Sequence, residues 1–365
     1  MTELLGAPWT FQYGYGFPEN TLTERIWLTA RRLTTTSTWS EQNVGPVLPS
    51  GNRPGYAVEM RPKIVVIGSS NVDFVMQVPK LPSPGETVTG GSFLQAYGGK
   101  GANQAVAAVR AGGDVTFVSS VGDDLFGGPM VESFQRDGIG TATIHRASGI
   151  PTGSALVMVD RKGENIITVA SGANGALLPE HIDAATELIA GAGWIVVQME
   201  LSLETTKRIL ESAESKGAKV LFNFAPMHTR ALPVTSAMTG LIVNEGEAEA
   251  LSGLPVRDVA TATEAAAALR QKGPQFVVIT LGSAGALVDS PDFAGLVPGF
   301  KVSPVDTTAA GDTFCGALAV ALGEDKPMVD AVRFASAAAA LSVTRQGAQP
   351  SIPQRAEIDA FLAKA

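Results

Sequence analysis

Asp306-Thr307-Thr308-Ala309-Ala310-Gly311-Asp312-Thr313-Phe314 leads directly into the apolar stretch 316–322. The run reads as a turn of small residues entering a helix. Such a turn lets backbone N–H groups converge on an anion, and the positive end of the helix dipole favours negative charge there. Asp312 stands at that start. A carboxylate beside a phosphate cradle can take a proton from an attacking hydroxyl. Backbone N–H groups of Ala309, Ala310 and Gly311 would meanwhile stabilise a moving phosphoryl group. The competing reading is a carboxylate that only caps the helix. Asp306 and Asp312 bracketing the turn weigh toward chemistry.

Outward from this junction, short apolar runs alternate with helical stretches. Residues 64–68, 115–121, 194–199, 219–224, 241–243 and 276–281 read as strands, mostly buried on both faces. Residues 102–111, 179–190, 203–216 and 262–272 read as helices, several stopped by glycine. Alternation of this kind predicts an α/β fold with three αβα layers around a mostly parallel sheet. Two stretches depart from the rhythm. Residues 72–78 and 155–169 alternate apolar with other side chains, and the second turns at Lys162-Gly163. They predict a small projecting sheet, with strands from about 72–97 and 153–170, acting as a lid, a dimer contact, or both.

A second motif, Gly98-Gly99-Lys100-Gly101-Ala102-Asn103, also precedes a helix. It is not a Walker A loop, because Gly101 stands where Ser or Thr must follow the lysine. Nor does a dinucleotide fingerprint follow the first strand, where Gly68 leads into Ser69-Ser70-Asn71. The missing fingerprint argues against an NAD-linked oxidoreductase. The glycines permit close backbone approach to a polar ligand, with Lys100 and Asn103 as hydrogen-bonding groups. A glycine turn serving only as a helix entry is the plainer alternative.

Composition narrows the classes. The 365 residues carry a formal net charge of −8 and no basic tail, so nucleic acid is not an expected partner. No apolar run approaches the roughly 20 residues of a membrane helix, and no secretory layout opens the chain. The single cysteine, Cys315, excludes an intrachain disulfide; with the rest it predicts a soluble cytoplasmic protein. Cys315 itself reads as a small buried apolar residue. His145, His181 and His228 read as scattered, without a second ligand at metal-binding spacing. Residues 1–59 differ from the rest: they lack lysine, carry Trp9, Trp27 and Trp39, and hold no period. They read as an appendage to a domain spanning 60–365. It is either the product of a start placed upstream of Met60 or a docking segment.

Together, Asn71 and Asp73, the Gly-Gly-Lys-Gly-Ala-Asn run, Asn244-Glu245-Gly246-Glu247 and the Asp306–Asp312 stretch resemble the ribokinase (PfkB-type carbohydrate kinase) family over about residues 62–365. Pro84-Gly85-Glu86-Thr87, residues 98–108 and the ending Thr344-Arg345-Gln346-Gly347-Ala348-Gln349-Pro350-Ser351 place the resemblance in its ribokinase branch. The resemblance implies ATP-dependent phosphorylation of D-ribose at its 5-hydroxyl, with Asp312 as base, and the projecting sheet predicts a homodimer joined through the lid. Deoxyribose, fructose, a nucleoside or a sugar acid is the alternative substrate, and a non-catalytic sugar sensor the alternative class; the intact Asp312 argues against the sensor.

The resemblance also implies a sugar pocket of Asn71, Val72, Asp73, Gly99, Lys100, Gly101, Ala102, Asn103, Glu200 and Asp312. It assigns ATP to Asn244, the loop Thr280-Leu281-Gly282-Ser283-Ala284-Gly285, Gly311, Asp312 and Ser336. Magnesium falls to Glu247, partly through water, and potassium to Asp306, Thr308, Ser342, Arg345, Gly347 and Ser351. Without the resemblance, Glu247 reads as a solvated helix face, Glu200 as a helix-entry charge, and residues 280–285 as a plain strand-to-strand turn. Asn223-Phe224-Ala225-Pro226 departs from the family, which commonly has proline at the position of Phe224, and lies outside the implied contacts.

Overall fold

The computed structural model describes residues 61–227 and 232–365; the extension with Trp9, Trp27 and Trp39, its Met60 boundary, and His228 lie outside the described residues. In chain order the strands are β1 (Lys63–Ile67), β2 (Asn71–Gln77), β3 (Ser92–Gly98), β4 (Asp114–Gly122), β5 (Ile144–Ala147), β6 (Gly153–Val159), β7 (Asn165–Ala170), β8 (Trp194–Val197), β9 (Val220–Asn223), β10 (Gly240–Asn244), β11 (Phe276–Thr280), β12 (Gly285–Asp289) and β13 (Ala294–Pro298). The helices are α1 (Lys100–Arg110), α2 (Gly127–Asp137), α3 (Pro179–Ala184), α4 (Thr186–Ala190), α5 (Leu203–Lys216), α6 (Glu245–Ser252), α7 (Val259–Arg270), α8 (Ala310–Gly323), α9 (Met328–Ser342) and α10 (Arg355–Leu362).

The larger sheet has the order β13-β12-β11-β10-β9-β8-β1-β4-β5. It is parallel from β11 to β5, and only β12 and β13 run antiparallel. Period-two alternation divides each central strand between two apolar layers. Ile64 and Val66 pack with Val196 and Val278 against α1, α2, α8, α9 and α10. Val65 and Ile67 pack with Val197 and Ile279 against α3 to α7. Burial on both faces is why these strands read as continuous apolar runs.

Strand order also decides where a ligand can sit. From β1 the chain builds outward to β4 and β5, then resumes at β8 on the other flank of β1. The helices nearest those strands, α1 and α5, go to opposite layers. A crevice therefore opens beyond the carboxyl ends of β1 and β8, the usual ligand site of such sheets.

Two elements differ from the sequence expectation. Helix α8 starts at Ala310, entered through left-handed Ala309 (φ 60°), so Asp312 lies inside the first turn. The apolar pattern shows only further on because this turn lines a cavity rather than the core. The helix expected over 179–190 is two, meeting at Ala185, where the Thr186 hydroxyl donates to the Asp183 carbonyl (2.7 Å).

The projecting sheet has the order β3-β2-β6-β7, with the hairpin turn at Gly163 (φ 82°). Register puts Asp73, Ala96, Ala155 and Val169 on one face, followed by Val75, Leu94, Val157 and Ile167. Phe74 and Tyr97, on the other face, anchor its base against the α1 layer, where Phe74 meets the Phe126 ring edge-on at 5.6 Å. Further out, apolar side chains are exposed on both faces rather than one: Leu94, Ile167 and Val169 beside Asp73, and Phe93, Leu156 and Ile166 opposite. The adjacent pair Ile166-Ile167 makes this unavoidable, since neighbours in a strand point to opposite faces.

Candidate active site

The loop after β1 and the start of α1 are pressed together because glycine occupies the contact. A Cβ at Gly101 would lie 2.5 Å from the Ser69 nitrogen, and one at left-handed Gly99 would lie 2.9 Å from the Asn71 nitrogen. Ser69 and the Lys100 N–H both donate to Glu200 Oε2, the latter at 2.9 Å. Glu200 is thus tied to the Gly-Gly-Lys-Gly-Ala-Asn run and the loop after β1; Ser202, not Glu200, caps α5. Opposite Asn71 in the lid register stands Gly98, where a Cβ would fall 2.1 Å from Asp73 Oδ2. The missing side chain leaves room for the Asp73 carboxylate. Asn174 donates to Asn71 Oδ1 (2.8 Å) and accepts from the Ser70 N–H (2.8 Å), fixing the Asn71 amide.

Asp312 makes no capping bond. It is buried in the first turn of α8, accepting from Asn103 Nδ2 at Oδ2 (3.0 Å) and from Gln104 Nε2 at Oδ1 (2.9 Å). Asn71, Asp73, Gly99, Lys100, Gly101, Asn103, Glu200 and Asp312 therefore meet at one place. Val72 and Ala102 belong to the same strand and helix, but their side chains are buried in the α1 layer. The Ala102 N–H is taken by the Ser69 carbonyl (2.9 Å).

The cluster is electrostatically loaded. Burial, then Glu200 and Asp312, pushes the Asp73 carboxyl up to about 7. Asp312 foremost, with Glu200 and Glu247, holds the Lys100 ammonium above its ordinary value despite its desolvation. Carboxylates around one buried ammonium can grip a neutral, hydroxyl-rich ligand through charge-assisted hydrogen bonds.

On the other side of Asp312 lies a cavity of about 480 Å³. Ala310, Gly311 and Ser336 line it, and Thr280, Gly282, Ser283 and Gly285 do so from the β11–β12 turn; Leu281, Ala284 and Asn244 are outside its lining. That turn is therefore both a strand connection and a cavity wall. A Cβ on Gly311 would meet open space, so a ligand can approach the turn before Asp312 at that point, while the Ala310 N–H donates to the Thr307 carbonyl (3.3 Å). Phe300, Lys301, Val302 and Val343 also line the cavity and went unnoticed in the sequence. They come from an irregular segment and a helix end with no periodic signal.

Glu247 is not a solvated face: it is 9% exposed and forms a reciprocal capping box with Asn244. Glu247 Oε2 accepts from the Asn244 N–H (2.9 Å), and Asn244 Oδ1 accepts from the Glu247 N–H (2.8 Å). Burial raises the Glu247 carboxyl, against the Asn244 N–H and Lys100. Among the described residues no group of three or more His, Cys, Asp or Glu could hold a metal ion. A magnesium ion bound mainly by water and phosphate oxygens needs no such group, and one buried carboxylate fits that role.

Asp306 joins two loops. Its Oδ1 accepts from the Thr308 N–H (2.9 Å) and hydroxyl (2.6 Å), and its Oδ2 accepts from the Gly347 N–H (2.9 Å). Burial pushes its carboxyl up, but these three donors more than offset that and leave it below its ordinary value. Ser342 and Ser351 donate to the Ala339 and Ala348 carbonyls (2.8 and 2.7 Å), and Arg345 pairs with Glu357. The Arg345 side chain is thus engaged elsewhere, leaving its backbone as the group a cation could use.

The histidines are not all scattered. His145 on β5 and His181 on α3 bring their rings to 4.2 Å, a pairing no sequence spacing could reveal. Burial and His181 lower the His145 pKa. Cys315 is fully buried, and burial pushes its thiol well up, as suits a packing residue. Phe224 is fully buried in the α3–α7 layer, while Asn223 accepts from Gln104, one step from Asp312. The departing Asn-Phe-Ala-Pro segment therefore lies nearer the site than its sequence position suggested. No helix among the described residues is long and apolar enough to cross a membrane.

A polar pocket and a cavity meeting at one helix start, with a buried carboxylate between them, define a phosphotransferase built on an open α/β sheet. The pfkB family carbohydrate kinase pattern matches residues 61–355, and the chain belongs to that family. It is 42% identical over 303 residues to a ribokinase of Haemophilus influenzae, covering 83% of this chain and 99% of that protein. Among solved structures it is similar to ribokinase from Thermotoga maritima (39% identity, TM-score 0.75, 83% of this chain and 99% of the other). It is also similar to Arabidopsis thaliana ribokinase complexed with ribose and ATP (32% identity, TM-score 0.76, 83% and 99%).

Proposed function

We propose that this chain transfers the γ-phosphoryl group of ATP to the 5-hydroxyl of D-ribose, giving D-ribose 5-phosphate and ADP. The observation that carries the reading is the placement of Asp312 between the polar pocket and the cavity beside Gly311. Asp73, Asn71, Lys100 and Glu200 hold the sugar hydroxyls. Asp312 accepts the 5-hydroxyl proton as the oxygen bonds to phosphorus and the bond from phosphorus to the ADP oxygen breaks in line. Ala309, Ala310 and Gly311 N–H groups receive the charge on the transferring group. Magnesium, at Glu247 partly through water, would supply neutralisation of the phosphates. The test is ADP release on a panel of sugars, described below.

Potassium is proposed at the loops joined by Asp306, supported by the way the Thr308 and Gly347 N–H groups hold the two loops together at that carboxylate. Replacing potassium by sodium at constant ionic strength should lower turnover several-fold. Asp306→Ala should lower it in both salts and erase the difference between them; an unchanged difference in the variant removes the cation site from these loops.

The lid is proposed to join two copies through the face that carries Asp73. Supporting this are Leu94, Ile167 and Val169, exposed by 49, 55 and 53% on that face. A partner there would also cover the sugar pocket and exclude water from it. Leu94→Asp should convert the dimer to monomer by sedimentation and raise ATP hydrolysis without sugar. A variant that remains dimeric places the interface elsewhere. The kinase domain is taken to begin at Met60, supported by the family match from residue 61.

A further inference from the structure

Gln104 follows Asn103 on α1 and, although it lies within the stretch 98–108, is given no role above. It is fully buried, and its Nε2 donates to Asp312 Oδ1 (2.9 Å) and to Asn223 Oδ1 (3.1 Å). Its Oε1 accepts from Gln198 Nε2 (2.7 Å), itself fully buried just after β8. Glycines make the arrangement possible. A Cβ on Gly68 would lie 2.0 Å from Gln198 Oε1, and one on Gly316 of α8 would lie 2.5 Å from the Gln104 carbonyl oxygen. Helix α8 can therefore come close enough to α1 for Asp312 to reach Gln104.

A primary amide has one accepting and one donating end. With Gln198 donating to its oxygen, Gln104 presents only N–H groups to Asp312. Reversing the amide would set oxygen against carboxylate and N–H against N–H. Asn103 holds the other carboxylate oxygen, so the two donors together oppose rotation about the Asp312 Cβ–Cγ bond.

We propose that Gln104, itself oriented by Gln198, is a positioning residue for the phosphoryl-transfer step: it sets the plane of the Asp312 carboxylate toward the sugar hydroxyl. The proposal rests on the reading of Asp312 as the base. A small rotation of a base away from its proton can cost as much as about 100-fold in rate.

The test uses the full chain with Gln104→Leu, Gln104→Glu and, separately, Asp312→Asn, assayed with ATP and D-ribose. Gln104→Leu should lower kcat by roughly 30- to 100-fold while both KM values move less than about threefold. Gln104→Glu keeps the shape but sets a carboxylate against Asp312 at alkaline pH. Protonated, the same side chain can donate to Asp312 and still accept from Gln198. Its kcat relative to wild type should therefore rise at least about fivefold from pH 8 to pH 6. The other charged groups around the pair, Asp73, Lys100, Glu200 and Glu247, are present in all the variants, and Gln104→Leu, which adds no charge, shows their own share of the pH profile.

A kcat within twofold of wild type in folded Gln104→Leu, or in folded Gln104→Glu at pH 8, overturns the positioning role. So does a loss in Gln104→Glu that stays constant with pH, which is the signature of a packing residue. If Gln104→Leu does not fold, the pH profile of Gln104→Glu decides alone. Turnover retained in Asp312→Asn brings down the base reading and this proposal together. An inactive Asp312→Asn beside a fully active Gln104→Glu removes the positioning role only.

Discussion

Asp312→Asn should lose about 1,000-fold or more in kcat while sugar affinity stays within about tenfold. The amide has nearly the shape of the carboxylate but cannot take up the hydroxyl proton. It also presents one N–H group where Asp312 only accepts, so it conflicts with either Asn103 Nδ2 or Gln104 Nε2. That conflict leaves a buried donor unpaired, at a cost on the order of 1–3 kcal/mol of stability. Unfolding and kinetics therefore have to be measured together. Turnover near wild type in a folded variant removes Asp312 from the chemistry.

Asp73→Asn should weaken sugar binding by about 10- to 100-fold, the worth of a charge-assisted hydrogen bond, and should stabilise the protein. The second effect follows from the pKa. In the folded chain Asp73 keeps its proton up to about pH 7, whereas the unfolded chain releases it near 3.8. The unfolded state thus binds fewer protons between those values, and stability falls as pH rises through them. Above pH 7 the whole penalty is present, roughly 4 kcal/mol at most. Asparagine does not titrate, so the variant should exceed wild type in melting temperature at pH 8 and by much less at pH 4.5. Equal gains at both pH values would mean that the carboxyl is not desolvated as the structure implies.

The layered sheet was legible because strands buried on both faces carry unbroken apolar runs, as at 64–67 and 276–279. The lid was legible from alternation, although Ile166 and Ile167 broke the simple one-faced picture. The start of α8 was placed late because its first turn faces a cavity, and helical apolar periodicity reports only contact with the core. The resemblance identified Asp73, Lys100, Asn103, Glu200 and Asp312. It gave no role to their partners Gln104, Gln198, Asn174 and Ser69. Their hydrogen bonds span between 94 and 208 positions for Gln104, and 131 for Ser69 to Glu200. Only the crossing of α1, α8 and the β1–β8 crevice makes those residues neighbours. The His145–His181 contact is hidden for the same reason.

The most direct test of the central claim is ADP release with magnesium and potassium on D-ribose, 2-deoxyribose, fructose and adenosine, with the phosphorylated product identified. The account predicts that D-ribose is turned over in preference to the other three and carries the new phosphate on its 5-oxygen. ATP binding with no turnover of D-ribose, or a product phosphorylated on another oxygen, would contradict it.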